Sequence, residues 1–174
     1  MSRQVIVTPP NPNWPQQFES EAELLNDALG PSCRSIHHIG STSIPAIHAK
    51  PIIDVLVEMS TLKDIEERTP QMSALGYEAL GEFGLPRRRY FRKTDPNGTR
   101  THQVHTYAQH DPEVQRHLAF RDFMRAHPRI ACQYSDLKCR LALAHPWDME
   151  AYMDGKHDFI QEMERRALAW LTQD

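Results

Sequence analysis

Hydrophobic positions follow a strand spacing in the first part of the chain and a helix spacing in the second. Short apolar runs at 35–39 and 52–59 predict two strands, and the second run is largely apolar on both faces. Because a strand buried on both faces lies inside a sheet, the run at 52–59 is predicted to be a central strand. Two more β-compatible runs, at 87–94 and 99–107, flank an Asn-Gly pair, which is typical of a β-hairpin.

Helix periodicity appears before and after these runs. Residues 14–29 carry an amphipathic stripe that ends at a glycine, and residues 60–75 predict a second helix, capped by Ser60 and interrupted at Pro70. Three further helices are predicted after residue 111, where Asp-Pro can begin a helix. The chain therefore changes from mostly strands to mostly helices.

This order of elements predicts an α+β fold, in which a mixed β-sheet is backed by helices and the C-terminal third is helical. Short strands at 5–7 and 77–80 would extend the sheet. We expect a single domain over residues 1–174, with a sheet-containing core at 1–110 and a helical extension at 111–174.

Composition and charge narrow the classes of function. The formal net charge of -3 argues against a protein that binds nucleic acid over its whole surface, so no bulk nucleic-acid binding is expected. Three cysteines form no Cys-x-x-Cys pair, as expected for reduced thiols in a cytoplasmic protein. No apolar segment has the length of a signal peptide core or a membrane span, so no membrane partner is expected. The sequence carries no signal for an oligomeric state.

The stretch at 37–57 concentrates the residues that can carry chemistry. Gly40 and Ser41 follow an apolar strand, and small polar residues in that place leave backbone N–H groups free to face an anion. Asp54 lies in an apolar run, where a carboxylate costs free energy unless something binds it. This combination predicts a site for phosphate and a metal ion. It is not a Walker P-loop, because no second glycine precedes Lys50.

The same stretch resembles the GrpB family, whose hallmark is close to H-I-G-S-T-A-V-P-G-L-x-A-K-P-I-I-D-I. The matching residues are His38, Ile39, Gly40, Ser41, Thr42, Pro45, Ala49, Lys50, Pro51, Ile52, Ile53 and Asp54. The resemblance continues through Trp14, Phe18, Gly76, Tyr77, Arg89, Tyr90, Phe91, Val104, His105, Phe120, Arg121, Asp122, His127, Pro128, Tyr134, Lys138, Tyr152 and Lys156. It implies a nucleotidyltransferase-like fold of the DNA polymerase beta type, because the family is placed in that superfamily.

The resemblance also implies roles for individual residues and a ligand, which is a nucleotide or another phosphorylated small molecule. In that superfamily a Gly-Ser turn holds the terminal phosphates of a nucleotide, and acids in a D-x-[DE] pattern hold magnesium. The implied phosphate- or nucleotide-binding residues are Gly40, Ser41, Thr42, Lys50, Arg89, Lys138, Tyr152 and Lys156. Asp54 and His105 are the implied catalytic residues, and Asp54 is the implied ligand of Mg²⁺ or Mn²⁺.

Several positions depart from the family or superfamily pattern. Leu56 stands where a second acid is expected, two residues beyond Asp54 on the same strand face, and Glu58 is about 13 Å along the strand. His105 lies on the run from which a third acid comes in the resembling superfamily. An imidazole is a poor magnesium ligand, although it can act as a general base near pH 7. Ala46 replaces a frequent glycine, which disfavours a left-handed backbone there.

The cations near the predicted site have alternative explanations. One face of the basic run, with Arg87, Arg89 and Lys93, could reach a triphosphate, because alternation prevents all five cations of the run from serving one site. Alternatively the run is a charged edge strand that resists unwanted pairing. Lys50 could bind phosphate or pair with Asp54.

Two hypotheses for function follow. The first is an enzyme that transfers a nucleotidyl group to an unknown acceptor with the help of a metal ion, and Asp54 favours it. The second is a non-catalytic module that binds a nucleotide or a coenzyme A precursor, and Leu56 favours it. The coenzyme A ligand is implied only by resemblance, because GrpB domains also occur fused to dephospho-CoA kinase.

Overall fold

Five strands form one mixed sheet at the centre of the fold. The structure is a computed structural model, and it describes residues 3–173. The strands are β1 (Cys33–Ile39), β2 (Ile53–Met59), β3 (Tyr77–Ala79), β4 (Arg89–Thr94) and β5 (Arg100–Ala108). Their order across the sheet is β1, β2, β5, β4, β3; β2 and β5 run parallel, and the other neighbouring pairs are antiparallel. The predicted central position of the run at 52–59 is confirmed, since β2 has a strand on each side.

Six α-helices surround this sheet. They are α1 (Trp14–Leu29), α2 (Leu62–Glu67), α3 (Thr69–Ala74), α4 (Pro112–Ala126), α5 (Pro128–Ala144) and α6 (Met149–Leu171). The predicted α+β fold with a helical C-terminal third is confirmed. Within residues 3–173, none of the helices combines the length and the hydropathy that crossing a membrane requires.

The predicted strand at 5–7 is wrong. The backbone there does not pair with the sheet. Instead, the N–H of Val5 donates to the carbonyl of Pro146, and Thr8 forms a single antiparallel bridge with Ala49. The segment therefore ties the N-terminal part of the chain to the loop before β2. In that loop Ala46 has a φ of 63°, so the left-handed backbone is present although a Cβ atom disfavours it.

The predicted helix at 60–75 is two short helices, and Ser60 is not its cap. Thr61 caps α2 by accepting a hydrogen bond from the N–H of Asp64, whose side chain accepts the N–H of Thr61 in return. Pro70 lies in the first turn of α3. Proline is favourable in a first turn because the N–H groups there have no acceptor within the helix, so the N–H that proline lacks is not needed. Inside one continuous helix, Pro70 would leave a backbone hydrogen bond unmade.

One face of the sheet is fully covered by α1, α2 and α3. Ile53, Val55 and Val57 point from β2 into this layer, where they are buried. Their neighbours in the same apolar cluster include Trp14, Leu25, Leu29, Ile65, Met72, Tyr77, Phe91 and Val104. This layer is the main core of the sheet, and β2 contributes every second residue to it.

The opposite face of the sheet is only partly covered. Leu56 of β2 packs with Ile39, Tyr107 and Val114, so α4 closes this part of the face. Helices α4, α5 and α6 form a second apolar cluster among themselves. Asp54 precedes Leu56 on the same face and borders an open cavity between the sheet and the helices.

Candidate functional site

The turn after β1 brings its backbone against Asp54. Gly40 has a φ of 71°, and a single 3₁₀ turn at Ser41–Ser43 follows, closed by a 3.1 Å hydrogen bond from the N–H of Ser43 to the carbonyl of Gly40. A Cβ atom at position 40 would lie 2.5 Å from Oδ2 of Asp54. Glycine is therefore required twice, for the left-handed backbone and for the close approach of the carboxylate.

The side chain of Thr42 fixes this turn against the neighbouring strands. Its hydroxyl lies 2.8 Å from Nε2 of His38, and it also donates to the carbonyl of Ile52 at the start of β2. His38 is buried and stacks on Phe18, and burial lowers the pKa of its imidazole to about 4. The Thr42 hydroxyl therefore has a structural role in the turn.

Asp54 is held from the side by His105. Nε2 of His105 lies 3.4 Å from Oδ1 of Asp54, and Nδ1 lies 3.3 Å from Nη1 of Arg88. A guanidinium can only donate hydrogen bonds, so Nδ1 accepts and Nε2 carries the hydrogen that faces the carboxylate. This tautomer leaves His105 without a free basic nitrogen. The geometry makes His105 an orienting partner of Asp54.

The residues beside Asp54 are not acids. Parallel pairing of β2 with β5 aligns Asp54 with Gln103 and aligns Leu56 with His105. Within residues 3–173 no three His, Cys, Asp or Glu side chains are grouped so that they could hold a metal ion. Mg²⁺ and Mn²⁺ prefer several oxygen ligands, and one carboxylate with an imidazole and a carboxamide nearby does not provide them. This donor set does not fit a resident divalent cation.

Three lysines come together on the helical side of the cavity. The ammonium groups of Lys50 and Lys156 each lie 4.8 Å from the ring centre of Tyr152, while Lys138 lies over Tyr134 at 4.4 Å and donates to the carbonyl of His48. Lys138 is only 2% exposed. Lys50 also contacts the sulfur of Met149 and forms no salt bridge with Asp54 within the described residues, so the alternative of a direct Lys50–Asp54 pair is not observed.

The electrostatics of these lysines favour an anion. Burial, followed by repulsion from Lys156 and Lys50, lowers the pKa of Lys138 to about 7. Burial and the charge of Lys50 lower the pKa of Lys156 to about 8. Tyr152 is fully buried beside Lys50 and Lys156, its hydroxyl has no hydrogen-bond partner within residues 3–173, and burial raises its pKa. An anion that contacted these groups would relieve the repulsion and could accept the Tyr152 hydroxyl hydrogen.

The cavity that joins these parts has a volume of about 750 Å³. Predicted residues that line it are Ser41, Thr42, Lys50, Asp54, Lys138, Tyr152 and Lys156. Gly40 lies at its edge, in contact with Asp54. Arg3 and Arg100 add two more cations to the lining, against the single carboxylate of Asp54. The cavity is therefore strongly positive although the whole chain is weakly acidic.

Arg89 lies outside this cavity. Its guanidinium binds Glu66 at 2.7 Å on the face of the sheet that α1, α2 and α3 cover, and Lys93 on the same face pairs with Glu21 at 2.5 Å. Arg87 binds Asp111 instead. The predicted face with Arg87, Arg89 and Lys93 does not reach the other site residues. The alternative of an edge strand is also wrong, because β4 lies between β3 and β5.

Several lining residues were not predicted from the sequence. They include Arg3, Phe83, Tyr90, Arg100 and Gln103. The predicted hairpin contained a usable signal for Tyr90, because alternation along β4 places Tyr90 on the face opposite Phe91. Gln103 could not be identified without the register of β5 against β2, because the two strands are far apart in the sequence.

Comparisons with known proteins agree on one family. The GrpB protein family matches residues 4–166. The UPF0157 protein YqkA of Bacillus subtilis is 45% identical over 97% of this chain, which spans about half (48%) of that relative's length. The glutamate-rich protein GrpB of Alkalihalophilus pseudofirmus is 34% identical over 92% of this chain and 94% of its own length. A dephospho-CoA kinase of Mycolicibacterium paratuberculosis is more distant, with 26% identity over 95% of this chain and 46% of the kinase.

Solved structures support the same assignment. The crystal structure of the conserved protein GrpB from Enterococcus faecalis has a TM-score of 0.90 and 45% identity, over 95% of this chain and 99% of that one. A Cid1 poly(U) polymerase with magnesium 3'-dATP bound has a TM-score of 0.55 and 12% identity, over 78% of this chain and 44% of that one. The second likeness concerns the fold alone and makes it nucleotidyltransferase-like. By its sequence and its structure, the chain belongs to the GrpB family.

Proposed function

We propose that the cavity binds a nucleotide or another phosphorylated small molecule, with the phosphates against Lys50, Lys138 and Lys156. The observation that carries this proposal is the group of cations in the cavity wall: Lys50 and Lys156 lie against the ring of the buried Tyr152, whose hydroxyl has no partner among residues 3–173, and Lys138 is itself buried. Burial and the repulsion among these lysines lower the pKa values of Lys138 and Lys156, and a multiply charged anion would remove that penalty. Small-molecule sites of this volume are common in proteins.

In the enzymatic version of the proposal, Asp54 acts as the general base for the acceptor. An acceptor hydroxyl attacks the α-phosphorus of the bound nucleotide, the bond from that phosphorus to the bridging oxygen breaks, and pyrophosphate leaves. The hydroxyl proton passes to Asp54, which His105 holds in position, while the lysines neutralise the charge of the leaving group. The nucleotidyltransferase-like fold supports this version.

The non-catalytic version is favoured by Leu56 and Gln103, which stand where further carboxylates would be needed for a two-metal reaction. In this version the protein senses or carries a phosphorylated metabolite. The similarity to a dephospho-CoA kinase makes a coenzyme A precursor one ligand to test. The two versions share the same lysines and differ in the role of Asp54.

Binding of phosphates is tested first, by isothermal titration with ATP, the other nucleoside triphosphates, dephospho-CoA and tripolyphosphate. The wild type is compared with Lys156→Met and with the exposed control Lys63→Met, whose side chain is 82% accessible. We expect Lys156→Met to weaken binding at least tenfold and Lys63→Met to leave it unchanged. Equal affinities of all three proteins, or no binding of any phosphate to the wild type, would overturn the proposal.

The role of Asp54 is tested with Asp54→Asn and Ser41→Ala, with and without Mg²⁺ or Mn²⁺, while pyrophosphate release is monitored. The enzymatic version predicts release that Asp54→Asn abolishes while ATP still binds. Binding without release from a range of hydroxyl acceptors, unchanged in Asp54→Asn, supports the non-catalytic version instead.

A further inference from the structure

A large aromatic side chain is exposed at the cavity. Phe83 lines it and is 56% exposed, although phenylalanine is among the residues that proteins usually bury. Its φ of 47° lies in the left-handed region, which is rare for a bulky residue. Residues in such conformations persist only where the surrounding structure holds them, and they are frequent at binding sites.

Arg88 is what holds Phe83 in this position. This buried guanidinium donates to the carbonyl of Phe83 at 2.8 Å and to the carbonyl of Glu82 at 3.2 Å. A further Arg88 nitrogen lies against Nδ1 of His105. The loop that carries Phe83 is therefore fixed to the same histidine that orients the site carboxylate, and its aromatic ring is preorganised.

The ring of Phe83 is part of a flat wall. It stacks on Tyr90, with ring centres 5.1 Å apart and planes inclined by 12°. Tyr90 is buried, so Phe83 presents the accessible surface of the pair. Parallel aromatic rings with an exposed partner form a surface on which another planar ring can stack.

Two polar residues of β5, Arg100 and Gln103, line the cavity together with this wall. Nε of Arg100 is buried and has no hydrogen-bond partner in the described part of the chain. The carboxamide of Gln103 lines the same cavity. A carboxamide donates and accepts, and a guanidinium nitrogen donates, so together they match the ring nitrogens and carbonyl groups at the edge of a heteroaromatic base.

The aromatic wall and the lysines belong to different elements that line the cavity with Asp54. The wall is built by β4, β5 and the loop before β4, whereas Lys138 and Lys156 belong to α5 and α6. The charge of Asp54 acts on Tyr90 of the wall and also on Lys156 of the helices. A ligand that spans the cavity therefore passes Asp54.

We propose that Phe83, Tyr90, Arg100 and Gln103 form a subsite for a planar heteroaromatic ring, so that the occupant of the cavity is a nucleotide-class molecule with its ring on this wall and its phosphates at the lysines. This inference rests on the proposed phosphate binding. It excludes sugar phosphates and other ligands without an aromatic ring as the preferred occupants.

The test compares two probes and three variants by isothermal titration. ATP carries both ring and phosphates, and tripolyphosphate carries the phosphates alone. Phe83→Ala removes the stacking surface, Phe83→Trp enlarges it, and Leu85→Ala is the matched control, because Leu85 is an exposed apolar residue of the same loop that does not line the cavity. Circular dichroism and thermal unfolding check that each variant is folded.

Wild type is expected to bind ATP more tightly than tripolyphosphate. Phe83→Ala should weaken ATP binding about tenfold, the usual contribution of one base stacked on an aromatic side chain, without changing tripolyphosphate binding. Phe83→Trp should retain ATP affinity, and its added tryptophan fluorescence should be quenched by ATP but not by tripolyphosphate. Leu85→Ala should behave as wild type.

Each of two results would overturn the subsite. In the first, tripolyphosphate and ATP bind the wild type equally, so that phosphate binding stands and ring binding fails. In the second, Phe83→Ala leaves ATP affinity unchanged, or weakens both probes alike. If neither ATP nor tripolyphosphate bound the wild type, the proposed phosphate site and this inference would both be refuted.

Discussion

Gly40 and Asp54 are in contact, since a Cβ atom at position 40 would lie 2.5 Å from Oδ2 of the carboxylate. We therefore predict that Gly40→Ala lowers the free energy of unfolding by about 2–4 kcal/mol, from a left-handed φ and from the overlap with Asp54. Gly81→Ala is the matched control, because Gly81 has a φ of 60° and nothing within 4 Å of an added Cβ atom. It should lose only about 1 kcal/mol in urea unfolding. Equal losses in both variants would mean that the contact with Asp54 is not constrained.

Lys138 should reduce the stability of the empty protein at neutral pH. Its pKa is lowered to about 7 in the folded state from an ordinary value of 10.5, so the unfolded chain binds more protons between these values and stability rises with pH across that window. Lys138→Met should therefore stabilise the protein by roughly 1–4 kcal/mol at pH 7, and the gain should vanish toward pH 10.5. Urea unfolding at several pH values measures this.

Exposed Lys63 gives the control for that prediction. Lys63→Met should change the unfolding free energy little at any of these pH values, because its ammonium is not buried. If Lys138→Met destabilised the protein at pH 7, the hydrogen bond to the carbonyl of His48 would outweigh the burial of the charge.

Acid should destabilise the protein through His38. Burial lowers the pKa of His38 to about 4, so below the ordinary value of about 6.5 the unfolded chain binds the proton first and stability falls. Relative to His38→Gln, the wild type should lose about 2 kcal/mol between pH 6.5 and pH 5. His157→Gln replaces an exposed histidine and should follow the wild-type curve. Parallel curves for wild type and His38→Gln would contradict a buried, neutral His38.

Ligand binding should take up protons near pH 8. The pKa values of Lys138 and Lys156 lie at about 7 and about 8, so part of the lysine population is neutral, and an anion raises both pKa values. Titration of ATP in Tris and in HEPES, which differ in ionisation enthalpy, should give a positive proton uptake that is smaller in Lys156→Met. Affinity should fall as pH rises from 7 to 9. A binding enthalpy independent of the buffer would refute this coupling.

Much of the fold follows from local pattern. The strands β2, β4 and β5 and the helices after Asp111 follow from alternation, turn chemistry and proline positions, which act over a few residues. The division of the helix at 60–75 also has a local cause, because Pro70 is best placed in a first turn and Thr61 with Asp64 can form a capping box. The sequence therefore contains the signals for two helices, and the prediction of one helix at 60–75 is wrong.

The candidate site was less predictable, because it depends on which face of each strand is covered. Alternation places Arg89 opposite Tyr90, but only the packing of α1, α2 and α3 on one side decides that Tyr90 lines the cavity and Arg89 does not. The position of Gln103 beside Asp54 depends on a parallel register between distant strands. Long-range register and layer order leave no local mark in a sequence.

The burial of Leu56 determines where the site could accommodate a second acid. It is completely buried beneath α4 with Ile39, Tyr107 and Val114, so an aspartate at this position would place an unpaired carboxylate in an apolar cluster. Gln103 borders the cavity, where exchange for glutamate meets water and cations instead. A second acid could therefore be added on β5 by the single substitution Gln103→Glu, whereas an acid at position 56 of β2 would require α4 to repack.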